Sequence, residues 1–155
     1  MVRPGLLPIP PIPHAHDISA LVIRAAFGPA LAYHGWQKLD GDAGGFADMV
    51  GTLQVFGVSL PEFVGYFVIG LELVGGSLLT LGLLTRLIAV FVAVQFLMIP
   101  FVVKSQAGLV GTEGPGFEID LYIAAAALTL LLLGPGRASL DRVLGLEPEP
   151  QPVAV

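Results

Sequence analysis

The sequence predicts an all-α fold: an integral membrane four-helix bundle with a short amphipathic interfacial helix between the first and second spanning helices. Three observations carry that expectation. Hydrophobic residues make up 55% of the 155-residue chain and charged residues only 12%. That is about half the charged share of an ordinary soluble domain, too little to cover a water-facing surface but enough where the outside faces lipid. Four segments are mostly apolar over roughly 20 residues, the length that crosses a bilayer core. One of them, residues 87–103, has no polar outer face, which a soluble bundle would require.

Taken in order, residues 1–16 form a Pro-rich tail with Pro4, Pro8, Pro10, Pro11 and Pro13, where extended backbone is favoured over helix. The tail lacks the basic start, uninterrupted apolar stretch and small-residue cleavage site of a signal peptide. The domain proper spans residues 17–143. Its first helix, about residues 17–38, opens on Asp17 as the N-cap candidate, and Pro29 predicts a kink near Ala25–Gly28. Between Asp40 and Leu60, the spacing of Phe46, Met49, Val50, Leu53, Val55 and Phe56 suits a helix lying at the membrane surface. The second and third spans cover about residues 61–84 and 86–104, separated at Thr85-Arg86. The fourth, about 117–134, carries Glu118 and Asp120 in its first turn, where acids suit the positive end of the helix dipole, and Gly134-Pro135-Gly136 stops it. Residues 144–155, rich in Pro and Glu, read as a disordered tail.

Several function classes are unlikely from composition. Seven Lys and Arg against 12 Asp and Glu give a net charge of −5, which argues against nucleic acid as a partner. With no Cys the chain can carry neither thiolate metal sites nor thiol redox chemistry of its own. His14 and His16 lie in the Pro-rich tail and supply no metal site. Arg3, Arg86, Arg137 and Arg142 against Lys38 and Lys104 favour both termini in the cytoplasm, in a multi-pass membrane protein. Phe63, Tyr66, Phe101, Phe117, Tyr122, Tyr33 and Trp36 then form an aromatic belt at the outer boundary.

Ionisable groups inside a bilayer cost at least a few kcal/mol unless paired or turned toward protein, so they carry the information. At about 100° per residue, Arg24, Gly28, Leu31, Gly35 and Lys38 share one stripe of the first helix, with His34 on its flank. Gly65, Glu72, Gly75 and Gly76 share a face of the second, and Glu118, Tyr122, Ala125 and Thr129 one of the fourth. Small residues mark helix–helix contacts, so these stripes are expected to face one another. Arg24 and Glu72 both fall near mid-membrane, and an ion pair between them is the simplest neutralisation, with snorkelling of Arg24 to the inner surface as the alternative. His34, Lys38, Lys104, Glu118 and Asp120 form an outer polar cluster, and Gln95 reads as interhelical glue. These charges are as readily structural as functional.

The order of His34-Gly35-Trp36-Gln37-Lys38-Leu39 after a helix bearing Arg24, then Leu71-Glu72-Leu73-Val74-Gly75-Gly76 leading to Thr85-Arg86, then Phe117-Glu118-Ile119 and Gly134-Pro135-Gly136-Arg137 with Ser139-Leu140-Asp141, resembles the DoxX family over about residues 18–143. The resemblance implies a small four-helix bacterial inner-membrane protein. The family's namesake grouping relates to membrane subunits of a thiosulfate:quinone oxidoreductase. Mycobacterial relatives are linked to a membrane-associated oxidoreductase complex that handles oxidative and thiol stress. The expected partners are therefore the lipid bilayer and membrane or peripheral redox proteins. No cofactor is intrinsic to the chain, but a quinone could be bound. No self-sufficient catalytic site is visible, so the chain is at most a subunit of a quinone-linked enzyme. Arg24, His34, Lys38, Glu72, Gln95, Glu118 and Asp120 are the candidate ligand or proton-handling residues. A non-enzymatic membrane scaffold with structural buried charges is the alternative, and a small proton-linked transporter ranks third.

Overall fold

The structure, a computed structural model, describes residues 12–41, 45–104, 108–111 and 116–148. Among them there are six helices and no strand: α1 (Ala15–Asp40), α2 (Gly45–Val55), α3 (Pro61–Leu81), α4 (Thr85–Val102), α5 (Glu118–Leu133) and the short α6 (Leu140–Val143). Two of these, α3 with 21 residues and α4 with 18, are long and apolar enough to cross a membrane. The N-terminal tail through residue 11 and residues 149–155 lie outside the described residues.

Helix ends follow local backbone chemistry more than hydrophobicity. α1 starts before Asp17, on His14 in the left-handed region at φ 57, so Asp17 is a first-turn residue rather than the N-cap. Its carboxylate accepts from the backbone N–H of Arg137 at 3.0 Å. Helical structure continues without a break through Pro29, which lies on the exposed side. α3 ends three residues short of the expected 84 because Gly82 takes φ 69. The amide of Leu83 then returns to Leu78 O at 2.9 Å and that of Gly82 to Leu79 O at 3.0 Å, the paired bonds of a Schellman C-cap. α4 stops at Val102, where the amides of Val103 and Lys104 both turn back to Ile99 O.

At 16 residues α5 is shorter than expected. Phe117 is held in a loop contact with Gly108 O, and Gly134 closes the far end at φ 77. At 1.5 Å per residue the helix spans about 24 Å, short of a hydrocarbon core of about 30 Å.

Inside α3, residues Leu71–Gly75 form a π-turn. Such turns recur at functional sites, and this one carries Glu72.

α1 runs antiparallel against α3, α4 against α5, and α1 also touches α5. Leu31, Leu79, Ile88, Val92, Phe96 and Leu130, with Ala89, Ala93, Ala124 and Ala127, fill the space between them. The α1 and α3 stripes are as the sequence predicts: Arg24, Gly28, Leu31 and Gly35 are buried on α1, and Gly65, Glu72, Gly75 and Gly76 on α3. The α5 stripe is not. Asp120, Ala124, Ala127 and Leu130 are buried, while Tyr122 is exposed and the Thr129 hydroxyl donates to Ala125 O at 2.7 Å within its own helix. Four successive alanines, 124–127, erase the size contrast that would mark the buried face, and Asp120 is buried where Glu118 is only partly so.

The α1–α3 contact is backbone on backbone. A Cβ at Gly35 would lie 2.9 Å from Leu73 Cα, one at Gly28 would lie 2.7 Å from Thr80 N, and one at Gly76 would lie 2.7 Å from Gly28 O. Small residues permit this approach. At Gly70, in the same helix, an added Cβ would meet nothing within 4 Å, and the backbone has an ordinary helical φ of −60. Gly35→Ala is therefore expected to destabilise by about 1–3 kcal/mol through overpacking, and Gly70→Ala to stabilise by about 0.5–1 kcal/mol through helix propensity. Reversible unfolding in mixed detergent micelles checks both signs.

Candidate functional site

Glu72 is 1% exposed and sits about eleven residues into α3. Two polar side chains from different helices converge on its carboxylate. Lys38, in the last turn of α1, forms an ion pair with Oε2, and Gln95, midway along α4, donates from Nε2 to Oε1 at 2.7 Å. The approach of α1 to α3 that Gly35 allows brings Lys38 within reach. The π-turn re-aims the residues of α3 around Glu72 relative to a regular helix. One buried anion is thus held by one cation and one neutral donor, a combination that neutralises the charge and leaves the Gln95 Oε1 acceptor buried without a partner.

A second cluster lies beyond it. Lys104, just past the end of α4, donates to Asp120 Oδ2 at 2.8 Å and to Gly116 O at 3.2 Å. Asp120 is buried in the first turn of α5. Lys104 lies nine residues beyond Gln95, so the two clusters are offset along the helix axes by about 13 Å. Glu118 joins neither pair, and its Oε2 is buried without a partner beside Gly116, where a Cβ would crowd it. The expected outer cluster therefore divides: Lys38 goes inward to Glu72, Lys104 takes Asp120, and His34 is exposed on the α1 surface.

The expected Arg24–Glu72 pair does not form. Gly35 packs against Leu73, so the antiparallel register puts Arg24 about 18 Å along the axis from the Glu72 level, beyond a side chain's reach. Arg24 turns to the opposite end of the helices. Its guanidinium donates to Ala138 O in the space left by Gly82 and beside Ser139, and it feels the charge of Asp141. It follows the snorkelling direction but is met by protein, at 1% exposure.

Asp141, which is not among the candidate residues the sequence suggests, organises that end. Its carboxylate accepts from the amides of Leu84 at 2.7 Å and Thr85 at 2.9 Å, and its own amide donates to Gly82 O at 2.8 Å. It serves as the N-cap acceptor for α4 although it lies 56 residues away in sequence. Arg86 similarly donates to Leu131 O, one of the carbonyls exposed at the end of α5, a role beyond the topology signal assigned to it. Glu147, expected in a disordered tail, is placed and accepts from Arg86 Nε at 2.7 Å. The one signal in the sequence was an acid following Ser139, which itself caps α6 by accepting from Arg142 N at 3.2 Å.

The pairing has a measurable signature. Lys38→Met is expected to destabilise by about 3 kcal/mol, the low end for stranding a buried charge, because a quarter of the Lys38 side chain is exposed. Glu72→Gln in the same chain should recover most of that loss. In double-mutant cycles of unfolding free energy, Glu72 should couple to Lys38 and be additive with Arg24.

The DoxX family model matches residues 19–105, which contain Arg24, Lys38, Glu72 and Gln95. The chain is 32% identical over 126 residues to "Putative oxidoreductase CatD" of Bacillus subtilis (strain 168), covering 81% of this chain and 86% of that protein. It is 34% identical over 129 residues to "Inner membrane protein YqjF" of Escherichia coli (strain K12), covering 83% and 93%. No solved structure matches it significantly. By the family match and by both relatives, this chain belongs to the DoxX family.

Proposed function

We propose that this protein is a four-span subunit or anchor of a redox complex in a bacterial inner membrane, with the Lys38–Glu72–Gln95 cluster as its ligand and proton site. The observation that carries this reading is the burial of an acid on a π-turn, in the middle of a span, with partners from two other helices. The outer surface supports four spans rather than two. α1 shows Leu21, Val22 and Tyr33 outward, and α5 shows Leu121, Tyr122, Leu128 and Leu132, so lipid is the solvent that suits these faces as it does α3 and α4. Phe63, Tyr66, Phe101 and Tyr122 are exposed on the Lys104 side of Glu72, as a belt at a headgroup boundary would be, whereas Tyr33 and Trp36, beside the Gly35–Leu73 contact, lie at the Glu72 level. One relative bears the name "Inner membrane protein" and the other "Putative oxidoreductase".

A quinone supplies two-electron acceptor chemistry when bound, and the residues fit its reduced form. The buried Gln95 Oε1 lacks a donor and would accept from a quinol hydroxyl, while Glu72, protonated from water, would pass on the protons that reduction takes up, its carboxylate stabilised by Lys38 between transfers. Electrons would come from a partner protein, since the chain has no thiol.

A second reading is favoured by the way Lys38 and Gln95 together occupy both oxygens of Glu72: the cluster fixes helix register and the chain is a scaffold. The two readings part in a single experiment. Native-membrane purification with a photoreactive quinone should label peptides containing Glu72 or Gln95, and Glu72→Gln should lower labelling and quinone-linked respiration together. Absence of label, with a folded Lys38→Met/Glu72→Leu double variant that leaves respiration and oxidant resistance unchanged, would establish the scaffold instead.

A further inference from the structure

Polar groups are spread unevenly along the helices on the two sides of Glu72. Gly35 packs against Leu73, so in the antiparallel register Asp40, the last residue of α1, lies level with Val68 of α3. α3 continues beyond that level through residues 67 to 61, and α1 therefore stops about 10 Å short of the end of its neighbour. The step is roofed by α2, whose Phe46, Met49 and Val50 pack on Gly65. Beneath it lies the last turn of α1. Lys38 is a quarter exposed there while it pairs with Glu72, Gln37 is half-buried and Asp40 is exposed. The last carbonyls of a helix also need water or a donor, so the end of α1 holds water within one lysine side chain of Glu72.

The other direction is dry. Between the levels of Glu72 and Arg24, about 18 Å apart, Leu31, Leu79, Ile88 and Ala89 close the interior, none of them more than 6% exposed. The hydroxyls of Ser77, Thr80 and Thr129 are spent on carbonyls of their own helices. A proton coming from the Arg24 end has no free polar group to step on. From the α2 end it meets Lys38 at once, and the Lys104–Asp120 pair lies toward that same end. We infer that Glu72 exchanges protons with water on the α2 side alone, along the exposed flank of Lys38. That side is extracytoplasmic if both termini are cytoplasmic. The inference rests on the proton role proposed for Glu72 and adds its direction: the protons that a bound ligand takes up there are drawn from one face of the membrane.

The test uses the full chain, which has no Cys of its own, carrying one introduced thiol in right-side-out and inverted native membranes. Glu72→Cys puts the thiol at the site, and Gln95→Cys does so with the Lys38–Glu72 pair kept. A membrane-impermeant thiosulfonate reacts with thiolate, so its rate reports water at the position. Both variants are expected to react at least about tenfold faster from the α2 side than from the other, Leu79→Cys from neither, and Asp40→Cys marks the α2 side. Lys38→Leu/Glu72→Cys, which strands no charge, should react severalfold more slowly than Glu72→Cys. Equal or faster reaction from the Arg24 side overturns the inference, as does reaction from neither side while Asp40→Cys is modified. An unchanged rate in the Lys38→Leu/Glu72→Cys chain overturns the part given to Lys38. Failure of the redox reading shows separately, as absence of photoreactive quinone label in a chain whose Cys variants still react from the α2 side.

Discussion

The constraint on which the rest of this structure depends is the burial of Glu72 in the middle of an apolar helix. A lone carboxylate there would cost several kcal/mol, whether the surroundings are packed protein or lipid. The cost is offset only if a cation and a further donor reach it, and both must come from other helices. Lys38 can do so because Gly28, Gly35 and Gly76 let α1 and α3 touch backbone to backbone. Gln95 can do so because α4 lies against the π-turn that carries Glu72. Glycine placement, helix register and the polar cluster are therefore one arrangement, and a change to any of the three disturbs the others.

The opposite end is built on a different economy of charge. Arg24, Asp141 and the start of α4 form a buried cap in which Asp141 is divided between two backbone amides and the field of a guanidinium. The turn at Gly82 makes this possible twice, by ending α3 with a positive φ and by leaving out the Cβ that would collide with Arg24. A short C-terminal helix thus secures the junction of two apolar spans through hydrogen bonds rather than through a large hydrophobic contact.

Much of this was legible in the sequence, for identifiable reasons. The α1 stripe of Arg24, Gly28, Leu31 and Gly35 and the α3 stripe around Glu72 could be read because glycine and charge interrupt otherwise bulky apolar runs, so the inward face has a contrast to show. The all-helical fold and the short helix between α1 and α3 followed from periodicity and length. The pairing of those charges did not follow. Depth counted from helix ends placed Arg24 opposite Glu72, but register is set by where the glycines dock, and that contact slides α1 until Lys38 takes the position. The buried face of α5 was hidden by its run of alanines, and Asp141 by distance along the chain: a cap contributed from 56 residues away leaves no local pattern.

The two ends also differ in what they leave unfilled, and this bears on how the molecule could work. Around Glu72 the ionic requirement is met within the chain, and what remains without a partner is a neutral acceptor, Gln95 Oε1. A neutral or protonated hydroxyl suits that site; a second anion would face Glu72 directly. At the other end the buried group short of partners is a donor: Arg24 gives one nitrogen to Ala138 O, while its Nε and Nη1 are buried without a hydrogen-bond partner. The ion pairs of Arg86 with Glu147 and of Arg137 with Asp17 lie outside it as exposed contacts. α5 runs from the Lys104–Asp120 pair in its first turn to the Leu131 carbonyl that receives Arg86, so it joins the Arg86 contact to the second polar cluster rather than to Glu72.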